Sequence, residues 1–91
     1  MVPAHQVMPE ALAEILRKAP MMPEKVAFAW RLAVGPVLNK STSVRLADDG
    51  TLYVTAESKA WADSVRASIG MIRSRLAHFL GDDAIKRIHY S

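Results

Sequence analysis

Residues 30–35 read W-R-L-A-V-G, and residues 44–65 read V-R-L-A-D-D-G-T-L-Y-V-T-A-E-S-K-A-W-A-D-S-V. The second stretch decides the fold. Val44 and Leu46 alternate with Arg45, and Leu52, Val54 and Ala56 alternate with Tyr53 and Thr55. Period-two alternation is the mark of strands with one buried face. Between them stands Asp48-Asp49-Gly50. Gly accepts positive φ and Asp supports turns through its own side chain, so the stretch predicts a β-hairpin from about Ser43 to Ala56. One Trp precedes the hairpin on a helical pattern and one follows it, so both can converge on a core laid against the strands.

Working outward, Val26, Trp30, Ala33, Val34 and Val37 form the apolar face of a helix that opens near Pro23 and runs to about Lys40. Gly35-Pro36 predicts a kink or break within it. Upstream, Leu12, Ile15, Leu16 and Ala19 keep amphipathic helical spacing from Pro9 until Pro20 ends the segment. Residues 1–8 read as a flexible arm and 9–91 as one domain. Downstream, Ser58 suits an N-cap. Trp61, Val65, Ile69, Ile72, Leu76 and Phe79 step by three or four, which predicts a single long helix closed by Gly81. Ile85, Ile88 and Tyr90 predict a last strand.

The order is α-α-β-β-α-β. A crossover through the last helix is expected to place strand three beside strand one and parallel to strand two. The helices pack on one face of this three-stranded mixed sheet. The fold class is therefore a two-layer α+β domain.

Composition bounds the function. The chain has 91 residues, 51% of them hydrophobic, enough for one core and against disorder. Cysteine is absent, which excludes a thiolate metal site or nucleophile and fits a reducing cytoplasm. No run of roughly 18 apolar residues suggests a membrane span. The net charge is +3, from 12 Lys and Arg against 9 Asp and Glu, and the isoelectric point is about 9.6. Such a mild excess is compatible with polyanion binding, but on charge alone an ordinary solvated basic surface is the better account.

The ordered motifs Trp30…Val34-Gly35, then Asp49-Gly50-Thr51-Leu52-Tyr53-Val54, then Ser58-Lys59-Ala60-Trp61-Ala62 resemble the DciA family, a former domain of unknown function in bacteria. The resemblance covers the chain from about Met8 to Tyr90. It implies a KH-like domain that binds DNA, single-stranded or forked and without sequence preference, and that assists loading of the DnaB-type replicative helicase. One departure from the family and one difference from true KH domains stand out. Ser41-Thr42-Ser43 lacks the Pro that members often carry before the first strand. No two glycines have the G-x-x-G spacing with which KH domains clamp a nucleic-acid backbone, so that mode of single-strand binding is not expected.

Lys59, Arg66 and Arg73 stand seven residues apart and nearly in line on the predicted last helix, and Gly70 leaves a gap in the row that would admit a phosphate backbone. Asp63 close by weakens the field. Lys86 and Arg87 on the last strand join this surface, and Lys40 and Arg45 flank the hairpin and could extend either this surface or another near the first two helices. These seven residues are the candidate nucleic-acid contacts; the alternative is a plainly solvated helix face. Arg17, Lys18 and Arg31 mark a second basic area, although Arg17 and Lys18 also complement a helix C-terminus. Trp30 and Trp61 could stack on bases, but helical spacing favours the core.

No catalytic set emerges. His5, His78 and His89 share no metal-ligand spacing, and Asp48-Asp49 and Asp82-Asp83 sit at Gly turns where turn chemistry explains them. Ser41, Ser43 and Ser58 have no His/Asp arrangement, and no phosphate-binding glycine loop occurs. No cofactor, metal or small-molecule substrate is implied. The expectation is a non-enzymatic adaptor with DNA and helicase as partners. The alternative is a protein-only interaction module of the same fold without useful DNA affinity.

Overall fold

The computed structural model describes residues 10–90, with side chains from residue 14; the expected arm over residues 1–8, and His5 within it, lie outside the described residues. The elements are α1 (Glu10–Lys18), α2 (Pro23–Ser41), β1 (Thr42–Leu46), β2 (Thr51–Ala56), α3 (Lys59–Ala67), α4 (Ile69–Leu80) and β3 (Arg87–Tyr90). This is an α+β fold with a three-stranded mixed sheet.

The hairpin forms where the alternation placed it. Val44 pairs with Val54 and Leu46 with Leu52 in an antiparallel ladder. In the turn, the Gly50 amide donates to the Ala47 carbonyl at 3.0 Å, and the Asp49 carboxylate accepts from the Thr51 amide at 3.0 Å. Gly50 stands at φ 87°, and a Cβ there would come within 2.8 Å of the Lys86 side chain. Its carbonyl accepts the Lys86 amide at 2.8 Å, so the hairpin turn also anchors the start of β3.

Two expectations about topology are corrected. Strand three does not lie beside strand one. The sheet order is β1-β2-β3, with β3 parallel to β2 in the register Leu52↔Ile88 and Tyr53↔His89. β1 already occupies one edge of β2 through the hairpin, so pairing parallel to β2 places β3 on the opposite edge. The long last helix is also two helices. Ser68, at φ −111° and ψ 13°, separates α3 from α4. Ser68 and Gly70 are weak helix formers, and steps of three and four in the apolar stripe hide a change of axis because both fit a helix. The Ser58 cap stands as expected, its Oγ accepting from the Trp61 amide at 3.3 Å.

α2 bends at Gly35, whose φ of 86° and ψ of 170° belong to a region open essentially only to glycine. Pro36 enforces the break, since it lacks an N–H and disfavours helical geometry in the residue before it. On α4, the Arg75 guanidinium donates to the Ala33 carbonyl beside this kink at 3.0 Å. Buried Lys25 donates to the Ala19 carbonyl at 2.8 Å and to Arg17 at 3.4 Å, capping the end of α1. Burial holds its pKa below the ordinary lysine value.

The core lies between the helices and one face of the sheet, built around Trp30, Leu52, Val54, Val65, Ile72 and Leu76. Trp30 is buried with its indole N–H on the Thr42 hydroxyl at 2.9 Å, and that hydroxyl in turn donates to the Leu38 carbonyl. Trp61 departs from expectation. It is half-buried outside the core cluster, in a concavity shared with Pro36, Val37, Lys40 and Ser41. Ile15 and Val37, assigned by spacing to apolar faces, are each 64% exposed.

Candidate nucleic-acid interface

Alternation along the strands sends Val44, Leu46, Leu52, Val54, Ile88 and Tyr90 toward the helices. The other face carries Ser43 and Arg45 on β1, Thr51, Tyr53 and Thr55 on β2, and Arg87 and His89 on β3. The alternating burial of β1 and β3 shows that this outer face is open to solvent along its edge strands, while on β2 Thr51 is buried, Tyr53 half-buried and Thr55 exposed.

One row crosses all three strands. Arg45 pairs in register with Tyr53, and Tyr53 with His89. The Arg45 guanidinium lies 4.5 Å from the centroid of the Tyr53 ring. On the other side the His89 ring meets Tyr53 edge-on, with centroids 5.5 Å apart at 64°. Each strand thus contributes one planar group. In the adjacent row, Arg87 donates to the Thr51 hydroxyl at 3.3 Å and reaches Asp49 at 3.5 Å. That ion pair is solvent-exposed and therefore weak. Asp49 is held below the ordinary carboxylate pKa, first by the Thr51 amide and hydroxyl and then by the Arg87 charge. The outward strand positions bear no acid, so the face presents two guanidiniums, an imidazole and a phenol to solvent.

The seven basic residues singled out from the sequence are not brought together. Arg45 and Arg87 belong to the outer face. Lys40 reaches its rim, sharing a shallow concavity with Ser43, Thr55 and Glu57. Lys86 lies off the face, with its stem over Gly50 and with Asp48 and Asp83 lining the same hollow. The row of Lys59, Arg66 and Arg73 is divided by the break at Ser68, which leaves the first two on α3 and the third on α4. Arg66 stacks over the Tyr90 ring at 4.6 Å, while Lys59 and Arg73 are exposed. Gly70 has open space where a side chain would stand. Arg17, from the second basic area, donates to the His78 carbonyl at 2.9 Å in the last turn of α4.

Charge and helical spacing do not single out Tyr53 and His89, which the sheet register places in this row. The signal was available: both occupy outward positions, and helices confined to one face leave the other uncovered. Among the described residues no group of His, Asp and Glu could hold a metal ion, and no helix is long and apolar enough to cross a membrane.

The family model of DciA, described as the Dna[CI] antecedent, matches residues 3–90, nearly the whole chain. The chain belongs to the DciA family. Membership bears out the resemblance carried by the Trp30, Asp49-Gly50 and Ser58–Trp61 motifs. DciA proteins take part in loading the replicative helicase during DNA replication, and the family is one of loaders rather than catalysts, with the DnaB helicase as its associated partner. No curated protein and no solved structure matches the chain.

Proposed function

We propose that this DciA-family chain is a non-enzymatic adaptor that holds DNA on the outer face of its sheet and meets the replicative helicase through a separate apolar surface. The observation that carries the DNA part is the row Arg45–Tyr53–His89 with Arg87 beside it, a cationic and aromatic face without an acid at any outward strand position. Guanidiniums bind phosphates regardless of sequence, and such binding is strongly salt-dependent. Lys40 extends the face at its rim. Arg66 and Lys59 on α3, Arg73 on α4 and Lys86 before β3 offer further phosphate contacts outside it. The mechanism is positional and involves no covalent chemistry.

For the helicase, the surface that fits best is the concavity of Pro36, Val37 and Trp61. A large aromatic left half-buried beside a valine that is 64% exposed has no role in the core and suits a protein partner. Lys40 on the same concavity would complement an acidic side chain flanking an apolar segment of that partner.

Titration of labelled forked DNA across a salt series, with and without the helicase, tests both parts. Log K should fall linearly with log salt, and Arg45→Glu and Arg87→Glu should each reduce the slope by roughly 0.7–0.9. A folded chain that binds no DNA form at about 50 mM salt, where phosphate contacts are strong, would leave the protein-only module standing.

A further inference from the structure

The cross-strand row does more than attract phosphates. Resting on the assignment of the outer face to DNA, we infer that Tyr53, between Arg45 and His89, is a stacking platform for an unpaired base, so that the face selects single-stranded over duplex DNA. The geometry points there for three reasons. First, Tyr53 sits on the central strand with one planar, nitrogen-bearing neighbour on each side, at 4.5 Å for the guanidinium and 5.5 Å for the imidazole. Base faces stack on aromatic rings and on guanidinium planes alike. A base entering the row exchanges the Arg45–Tyr53 contact for contacts with both partners, which leaves the guanidinium free to follow the adjoining phosphate. Second, strands about 4.8 Å apart give a face some 10 Å across at the backbone before side chains are added. The DNA major groove, roughly 12 Å wide, admits one helix or a two-stranded ribbon, not a three-stranded face backed by a helical layer. An undeformed duplex therefore meets this face chiefly through its phosphates. Third, the chain has no G-x-x-G clamp, so the helical side offers no KH-type competitor for a single strand.

Stacking does not read sequence, because every base has a face, so the platform is indifferent to base identity. Arg87, half committed to Asp49 and Thr51, lies one row along and tethers the next phosphate.

The test uses the full chain with three probes of equal length: a labelled oligothymidylate, the same strand carrying abasic sites, and a blunt duplex. The intact protein should bind the oligothymidylate about tenfold more tightly than the abasic strand, the size expected for one lost stack. Tyr53→Leu should lose about the same factor on the oligothymidylate and nothing further on the abasic strand, while Tyr53→Phe retains wild-type binding. Duplex affinity should be unchanged in both variants. The abasic comparison is made on unaltered protein, so it stands even if a Tyr53 variant folds poorly. Equal affinity for the intact and abasic strands, or equal binding by wild type and a folded Tyr53→Leu, would overturn the stacking platform while leaving phosphate binding in place. Failure of the wild type to bind any of the three would instead remove the DNA assignment on which the platform rests.

Discussion

The two faces of the sheet are made by the same three strands and differ in almost every physical respect. The inner face places Leu52 and Val54 at essentially zero exposure beneath Trp30, and its value lies in area removed from water. The outer face places Arg45, Arg87 and His89 in solvent and leaves Tyr53 half-buried between two of them, and their mutual contacts add little to stability. A shift of one residue in register would exchange them. Alternation along the strands therefore assigns stability to one set of positions and recognition to the other, with little interference between them.

The largest effect that could break this division is on the inner side. Trp30→Ala removes the largest fully buried side chain and leaves the Thr42 hydroxyl without its indole partner. It should cost about 3–5 kcal/mol, enough to unfold a small domain of ordinary stability. Denaturant unfolding measures it. Arg45→Ala on the outer face should shift the same curve by less than about 0.5 kcal/mol while weakening DNA binding. If the two substitutions cost equal stability, the division of labour between the faces fails.

Next in size is Gly35→Ala. The strain here is in the backbone alone, since no atom lies within 4 Å of the added Cβ. A non-glycine residue at φ 86° and ψ 170° costs on the order of 1–3 kcal/mol. The kink aims the second half of α2, which carries Val37 and Lys40 toward Trp61. Relaxed strain should therefore disturb the Trp61 concavity before it disturbs the outer sheet face. Melting temperature reports the cost, and helicase pull-down against DNA titration reports which surface moved.

The contrast between Trp30 and Trp61 shows what was legible in the sequence. Alternation, the Asp-Gly turn, the Gly35-Pro36 break and the Ser58 cap were all readable because each is local chemistry. The position of β3 was not, since the strand order depends on which edge of β2 remains free after the hairpin forms. The break at Ser68 was hidden by an apolar stripe that continues through it. Trp61 is a separate case: it shares α3 and its apolar stripe with buried Val65, yet it stands in the first turn of that helix, where its neighbours are Pro36 and Val37 of α2 rather than the core. The basic residues were readable as charges but not as a surface, because grouping them requires the sheet register. Arg45 and Arg87 are 42 positions apart in sequence, yet both lie on the open face. Trp61→Ala sharpens the lesson. It should cost only about 1 kcal/mol of stability, against the several expected at Trp30, and should weaken helicase capture with DNA affinity unchanged. A loss of stability matching that of Trp30→Ala would return Trp61 to the core.

The smallest expected effect concerns Asp49, which stands where the two faces meet the turn. Its carboxylate accepts from the Thr51 amide at 3.0 Å and holds Arg87 at 3.5 Å. Asp49→Asn keeps an acceptor for the amide but releases the guanidinium and raises the net charge by one. DNA affinity should rise about two- to fivefold at low salt, with a steeper salt slope, because Arg87 no longer divides its contacts. The pH dependence has a definite sign. A carboxylate whose folded pKa lies below its unfolded value contributes stability that is fully present above the unfolded value near 3.8, and loses it as pH falls through the folded value. Wild type and Asp49→Asn should therefore differ in melting temperature by a small constant amount at neutral pH and converge only in strong acid. The gain in DNA affinity should fade over the same acidic range, since protonation of Asp49 frees Arg87 in the wild type as well. An affinity gain that persisted undiminished in strong acid would show that Asp49 acts on the face through the shape of the turn rather than through its hold on Arg87.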